Sequence, residues 1–364
     1  MRFQDEYGDR DLVQALAVAL TREAVRLNEP LRLMEVCGTH TMAIARFGLK
    51  NLLPSQISLV SGPGCPVCVT PLGYLDHALA LADDPGNLLT TFGDLLRVPG
   101  SVSSLMEQRA CGADVRVVWS ALDAVALAVQ HPDRRVIFLG VGFETTAPTV
   151  AAAVLQAEQL KLQNFFVLCG HKTMPQAMAL LAADPQLRVD GFICPAHVST
   201  VIGGSTYLPL AEQYGIPCVV TGFEAADVLQ GIQLLLRQHL ANEAKVEIQY
   251  RRAVSWEGNR RAQQLLEQVF EPCDTEWRGL GSIAGSGLQL RERFGCFDAA
   301  RHLPVSLPAS CEPDGCRCGE VLIGRILPQD CPLFGADCRP ETPVGACMVS
   351  SEGSCAAAWR YGIG

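Results

Sequence analysis

Basic charge is scarce in this chain. Of 364 residues, 29 are Lys or Arg against 38 Asp or Glu, a formal net charge of −9, and only 18% are charged at all. A nucleic-acid binder carries a basic stripe, so the acidic balance argues against that class. No charge-free apolar run is long enough for a membrane span, and none is expected. The opening residues, Met1 to Arg10, hold neither a basic cluster nor an apolar run, so no secretory signal is expected and the chain is placed in the cytoplasm. Two phosphate-loop signals fail. Gly62-Pro63-Gly64 has Val67 where a dinucleotide fingerprint needs its third glycine, and Gly140-Val141-Gly142 has Thr145 there. Gly-Lys-Ser/Thr occurs nowhere, which excludes a P-loop, and the close cysteine triplet of radical-SAM enzymes is missing too.

What the chain does have is apolar bulk and sulfur. Its 49% hydrophobic content excludes a disordered polymer, and its length suits two or three domains. Of its 16 cysteines, seven (Cys311, Cys316, Cys318, Cys331, Cys338, Cys347, Cys355) crowd the last 54 residues. A reducing compartment disfavours structural disulfides, so these thiols are expected to be core residues, catalytic groups or metal ligands.

A helix is expected from Asp11 to about Leu27, capped by Asp9 or Asp11. From there to about residue 240, short apolar runs alternate with amphipathic stretches. The runs are Leu31–Cys37, Ile57–Val60, Leu88–Thr91, Val115–Trp119, Val136–Leu139, Phe165–Cys169, Gly191–Cys194 and Cys218–Val220. Such alternation predicts α/β architecture with parallel sheets covered on both faces, most plausibly two sheets. Gly142-Phe143-Glu144 and Gly222-Phe223-Glu224 both follow a strand, a weak internal similarity that fits two halves. After residue 250 the rhythm stops. A helix near Trp256–Phe270 precedes glycine-rich loop sequence (Gly279, Gly281, Gly285, Gly287) and the cysteine-rich tail. The expected division is 31–141 and 142–250 as two Rossmann-like α/β domains, with 1–30 and 251–364 as a third, mostly helical and irregular iron–sulfur domain.

Loops at the carboxyl ends of parallel strands form ligand crevices. Here they hold Cys37-Gly38-Thr39-His40, Cys169-Gly170-His171-Lys172 and Cys194-Pro195-Ala196-His197. Thiolate and imidazole suit iron, zinc and copper. Cys169 and Cys194 also read as small core hydrophobes, whereas Cys37 has Gly, Thr and His directly behind it. Arg97, Arg109 and Lys172 read as solvated or anion-steering charges. Cys65-Pro66-Val67-Cys68 follows the second strand, and a C-x-x-C opening a helix is a redox-dithiol arrangement. A zinc half-site competes but wants a second pair of like spacing, and Cys316-Arg317-Cys318 is not one. The tail, broken by Pro and Gly, is expected to need a metal staple, either tetrahedral zinc or an iron–sulfur cluster, with its long gaps favouring the cluster. Spacing alone does not choose four ligands from seven.

These motifs, with Gly142-Phe143-Glu144-Thr145-Thr146-Ala147-Pro148, Gly170-His171-Lys172-Thr173-Met174-Pro175 and Cys347-Met348-Val349-Ser350-Ser351-Glu352-Gly353, resemble the HypD family of hydrogenase maturation factors. The resemblance runs from about residue 30 to 358 in the family's order. It implies a scaffold for building the Fe(CN)₂CO group of [NiFe]-hydrogenase, not a turnover enzyme in the ordinary sense. A small HypC-type chaperone would share the iron with Cys37, HypE working with HypF would deliver cyanide, and the hydrogenase large subunit would receive the product. It also implies a [4Fe-4S] cluster on a C-x₁₂-C-x₆-C-x₁₆-C pattern, which falls on Cys318, Cys331, Cys338 and Cys355. In that frame His40 orients or deprotonates Cys37, and Cys65 and Cys68 cycle between dithiol and disulfide. Without the resemblance, a stand-alone thiol–disulfide oxidoreductase fed by a cluster ranks first. An iron–sulfur lyase with three cluster ligands is the other competitor.

Overall fold

The computed structural model describes residues 9–307, 310 and 312–362; Cys311 lies outside them. Apolar runs without polar alternation form strands buried on both faces. The strands are β1 (Leu31–Glu35), β2 (Ile57–Ser61), β3 (Asn87–Thr91), β4 (Val115–Val117), β5 (Arg135–Gly140), β6 (Phe165–Cys169), β7 (Gly191–Cys194), β8 (Cys218–Val220) and β9 (Val246–Ile248); β3, β7 and β8 are buried throughout, whereas β9, which falls in none of the apolar runs, is half-buried. Every pairing among them is parallel, and they make two sheets, as an α/β fold requires.

The first sheet runs β2-β1-β7-β8-β9 and the second β4-β3-β5-β6. The division expected at residue 141 does not separate them. Strand β1 pairs with β2 on one side and on the other with β7, which follows residue 190, and the whole second sheet is inserted between β2 and β7. Local periodicity reports which segments are strands; partner choice depends on how each crossover helix packs. On one face of the first sheet Leu33, Ile193 and Val219 pack against Ile232 and Leu236 of the helix Ala225–Leu240. In the second sheet Phe138 meets Val150 and Val154 on one face, while Ile137 and Leu139 meet Leu75 and Leu79 on the other.

The N-terminal helix spans Arg10–Ala24, and the Asp9 carboxylate caps it by accepting the Asp11 N–H at 2.8 Å. It covers the first sheet and belongs with it, against the expectation that it joins the tail. Leu20 and Ala24 are buried beside the helix Ala225–Leu240, and Glu23 pairs with Arg237 at 2.8 Å. The glycine-rich stretch expected as loop is an antiparallel hairpin, β10 (Phe270–Trp277) and β11 (Gly281–Leu290). Gly279 and Gly281 turn it at φ +84° and +75°, a left-handed backbone that glycine adopts without a Cβ clash. The tail also folds into short helices, Cys318–Leu322, Ala346–Val349 and Ser354–Tyr361, too short to stand without packing. No helix among the described residues is long and apolar enough to cross a membrane.

Candidate functional site: three thiol centres joined by one segment

In each sheet the strand order reverses once, between β1 and β7 and between β3 and β5. Crossovers diverge at such a point and leave a crevice at the carboxyl ends of the two strands. Cys37 sits in the first crevice, immediately after β1 and at the start of the helix Gly38–Arg46. It is 7% exposed, and burial, with Glu352 and Glu35 nearby, pushes its thiol up to about 12. The peptide N–H groups of Thr39 and His40 pull the other way, because the positive end of a helix favours a thiolate.

His40 is fully buried. Its Nε2 lies 3.0 Å from the Gly222 carbonyl oxygen, 3.2 Å from that of Thr221 and 2.9 Å from the Thr221 hydroxyl. Donation to those carbonyls leaves Nδ1 with the lone pair, and Nδ1 has no hydrogen-bond partner. Burial lowers the imidazole to about 4, so the ring is neutral. The ring therefore ties Cys37's helix to the loop after β8 and makes no hydrogen bond with the thiol. Phe223 lies between His40 and His197, with ring centroids at 4.8 and 4.3 Å.

The Cys65–Cys68 turn lies beside Cys37, where Gly38 N–H donates to the Gly64 carbonyl at 3.0 Å. The two cysteines form a disulfide with Cα atoms 5.2 Å apart. They do not open a helix, as the spacing suggested. The next helix starts at Leu72, after Pro71, and the pair occupies a turn in which Cys68 N–H points at Cys65 Sγ from 3.2 Å. Helix-end stabilisation of one thiolate is therefore not available to it. Cys65 is 3% exposed and Cys68 not at all.

In the tail, six cysteines (Cys316, Cys318, Cys331, Cys338, Cys347, Cys355) line one small cavity walled by Leu333, Phe334 and Met348. Four of the six fit the C-x₁₂-C-x₆-C-x₁₆-C pattern. Among the described residues no three His, Cys, Asp or Glu side chains converge closely enough to hold a single ion; these thiols face each other across a shared space. Cys318 Sγ is 2.7 Å from Cys347 Sγ. Thiol hydrogen bonds from Cys316 and Cys347, with the Arg278 guanidinium nearby, hold Cys318 well below the usual thiol range. Arg278 is 6% exposed at the hairpin tip, and its N–H donates to the Val69 carbonyl of the Cys65–Cys68 turn at 2.9 Å.

One segment, 346–352, touches all three centres. Ser350 Oγ is 3.2 Å from Cys65 Sγ, the Ala346 carbonyl 3.8 Å from Cys68 Sγ, and Cys347 meets Cys318. Glu352 accepts the Thr39 hydroxyl proton at 2.7 Å, beside Cys37. Asp94, in the second crevice after β3, accepts from Ser351 N–H at 3.0 Å and from the Ser351 hydroxyl at 2.9 Å, and Arg97 donates to the Val349 carbonyl at 3.2 Å. Cys169 and Cys194 are not part of this group, and Cys194 packs in the core against Cys218. Lys172, read as solvated, is 2% exposed and donates to the Glu276 carbonyl at 2.5 Å. Glu35, Asp94, Glu144 and Arg278 went unremarked in the sequence as site residues. A carboxylate two residues before Cys37, as Glu35 is, is the one signal in plain view.

Comparison with known proteins now bears on this arrangement. The chain matches the HypD family model, described as the hydrogenase formation hypA family, over residues 11–362. It is 47% identical to the hydrogenase maturation factor HypD of Azotobacter vinelandii, covering 100% of this chain and 97% of that protein. It is 46% identical to HypD of Escherichia coli K12, over 99% of this chain and 98% of that one. HypD of Cupriavidus necator is 43% identical over 100% of this chain and 97% of its own length. With crevice cysteine, paired cysteines and tail cysteines in one fold, and likeness over the full length, the chain belongs to the HypD family and acts in hydrogenase maturation.

Proposed function

We propose that the chain is the scaffold on which the Fe(CN)₂CO unit of [NiFe]-hydrogenase is assembled, with iron as cargo held through Cys37. The observation that carries this reading is the segment 346–352, which puts the loop behind a buried crevice thiol, a disulfide and a cysteine-lined cavity in contact with one short stretch of chain. CN⁻ and CO need an electron-rich Fe(II), and a thiolate supplies that environment. Burial resists ionisation of Cys37, so a bound cation is what displaces its proton, while His40 and Glu352 hold the loop around it. A HypC-type chaperone would supply the facing ligand, HypE with HypF the cyanide, and the hydrogenase large subunit would take the product.

Cys318, Cys331, Cys338 and Cys355 fit a [4Fe-4S] cluster by donor type and by sharing one cavity. When bound, such a cluster supplies electrons one at a time. The Cys65–Cys68 disulfide takes two electrons and two protons to become a dithiol, and Ser350 and the Ala346 carbonyl lie ready to hydrogen-bond the thiols so formed. A stand-alone thiol–disulfide oxidoreductase is less well supported, because both sulfurs are buried from any bulky substrate.

The test is infrared spectroscopy of the protein co-purified with its chaperone. Wild type should show CN and CO bands, and Cys37→Ala should lose them while keeping its fold. Bands that persist in Cys37→Ala would remove Cys37 as the iron ligand.

A further inference from the structure

The loop 221–224, whose carbonyls receive His40, is held from behind by a buried carboxylate. Asp227 stands in the first turn of the helix Ala225–Leu240 and is fully buried. Its Oδ1 accepts from Gln249 Nε2 at 2.8 Å and from Arg252 Nη1 at 2.9 Å. Its Oδ2 accepts the Glu224 N–H at 3.4 Å and a second bond from Arg252 Nη2. A carboxylate offers about four lone-pair positions, and all are used. Gln249 carries the connection forward, because its Oε1 accepts the Gly222 N–H at 3.1 Å. A Cβ on Gly222 would overlap Asp227 Oδ2 and the Tyr250 ring, so the loop lies directly against the pair. The Gly222 and Thr221 carbonyls of the same loop meet His40 Nε2, three residues beyond Cys37.

We propose that Arg252 and Asp227 are positioning residues for Cys37, resting on the reading of that thiol as the iron ligand. Their fork holds the loop 221–224, the loop holds His40, and His40 holds the first helical turn behind the thiol. Without Arg252 a fully buried carboxylate loses its counter-charge, a state the loop leaves by moving out towards water. His40 then loses its carbonyl partners, and the crevice around Cys37 loosens. The clamp serves this crevice and not the second. After Gly142-Phe143-Glu144 the place that matches Asp227 is Ala147, which carries no charge.

Alkylation of Cys37 in the metal-free full chain, read by mass mapping, tests this. Arg252→Ala should speed it about tenfold, the loss of one charge-assisted hydrogen bond. Arg252→Lys keeps a charge over the carboxylate, and so the fold, but not the two parallel bonds; it should speed labelling about threefold. Arg237→Ala breaks the Glu23 ion pair farther along the same helix and should label at the wild-type rate. In protein co-purified with its chaperone, the CN and CO bands should weaken in the order wild type, Arg252→Lys, Arg252→Ala. Wild-type labelling in both folded Arg252 variants overturns the proposal, as does an equal rise in Arg237→Ala, which would mark general destabilisation. Full-strength bands in a variant whose Cys37 labels faster overturn it too. Bands missing from wild type would instead remove the iron reading, and the labelling rates would still decide on the clamp.

Discussion

Gly64 has no side chain, and that absence decides how near the Cys65–Cys68 turn can come to Cys37. A Cβ there would overlap the backbone nitrogen and Cα of Cys37. Backbone cannot move aside as a flexible side-chain end can. Gly64→Ala should cost about 1–3 kcal/mol and push the two thiol centres apart. Thermal melting reads the first effect, and faster alkylation of Cys37 reads the second; an unchanged melt would show that the turn has room to shift. Glu144 offers a test by pH. It is 3% exposed, its Oε1 accepts the Met174 N–H at 2.9 Å, and its Oε2 has no partner. Burial raises its carboxyl from 4.5 to about 7. The folded state then holds a proton the unfolded chain has released, so stability falls as pH climbs from about 4.5 through about 7 and is level above. Glu144→Gln should remove that slope and gain on the order of 3 kcal/mol at pH 8 relative to pH 4.5. Denaturation midpoints across that range check it, and parallel curves for the two proteins would rule the linkage out.

Among the elements, the segment 346–352 is held from both crevices, and Asp94 is its anchor on the second sheet. Asp94→Ala removes three acceptor contacts to Ser350 and Ser351. It should loosen the segment and, after reduction, raise the alkylation rate of Cys65 and Cys68 about tenfold, from the loss of roughly 1.5 kcal/mol of charge-assisted bonding. Mass mapping of the labelled thiols gives the answer; unchanged rates would mean that Cys65 and Cys68 are shielded by their own turn. Little of this was legible beforehand. Leu31–Cys37 announced β1 because five apolar or half-buried residues precede a Cys-Gly break, and the other seven runs were as plain. The hairpin was not, since glycines at 279, 281 and 285 read as loop until the antiparallel pairing of β10 and β11 is seen. Asp94 looked like any polar residue after a strand. Its partner lies more than 250 residues away, and no local pattern carries that distance.

At the scale of the molecule each sheet has helices over its buried strands, while residues 312–362 offer only short helices and a cysteine-lined cavity, and reach the two cores through Val321 and Leu322 on one side and Ala346 and Val349 on the other. An irregular segment of that kind depends on whatever its thiols bind. Stripping iron with a chelator under reducing conditions should expose the tail to limited proteolysis and leave 31–250 intact. Cleavage spread evenly over the chain would show instead that the tail is held by its apolar contacts alone. The motifs in the sequence are enough to group the cysteines by place, one in the crevice after β1, one close pair and one set in the tail, because residue type and order survive in one dimension. They do not reveal the insertion of one sheet within the other, because it is a property of connection and leaves no mark on periodicity.

That insertion also sets an order of events during synthesis. Strand β1 ends at Glu35, but its neighbour β7 begins only at Gly191, and His40 finds its carbonyl partners at Thr221 and Gly222. Chains emerge from the ribosome at about 5–20 residues per second, so the Cys37 crevice has no second wall for roughly ten seconds or more after its thiol appears. The inserted sheet, by contrast, has all four of its strands by Cys169, before β7 begins. A nascent chain therefore has no finished crevice around Cys37 until the first sheet has closed.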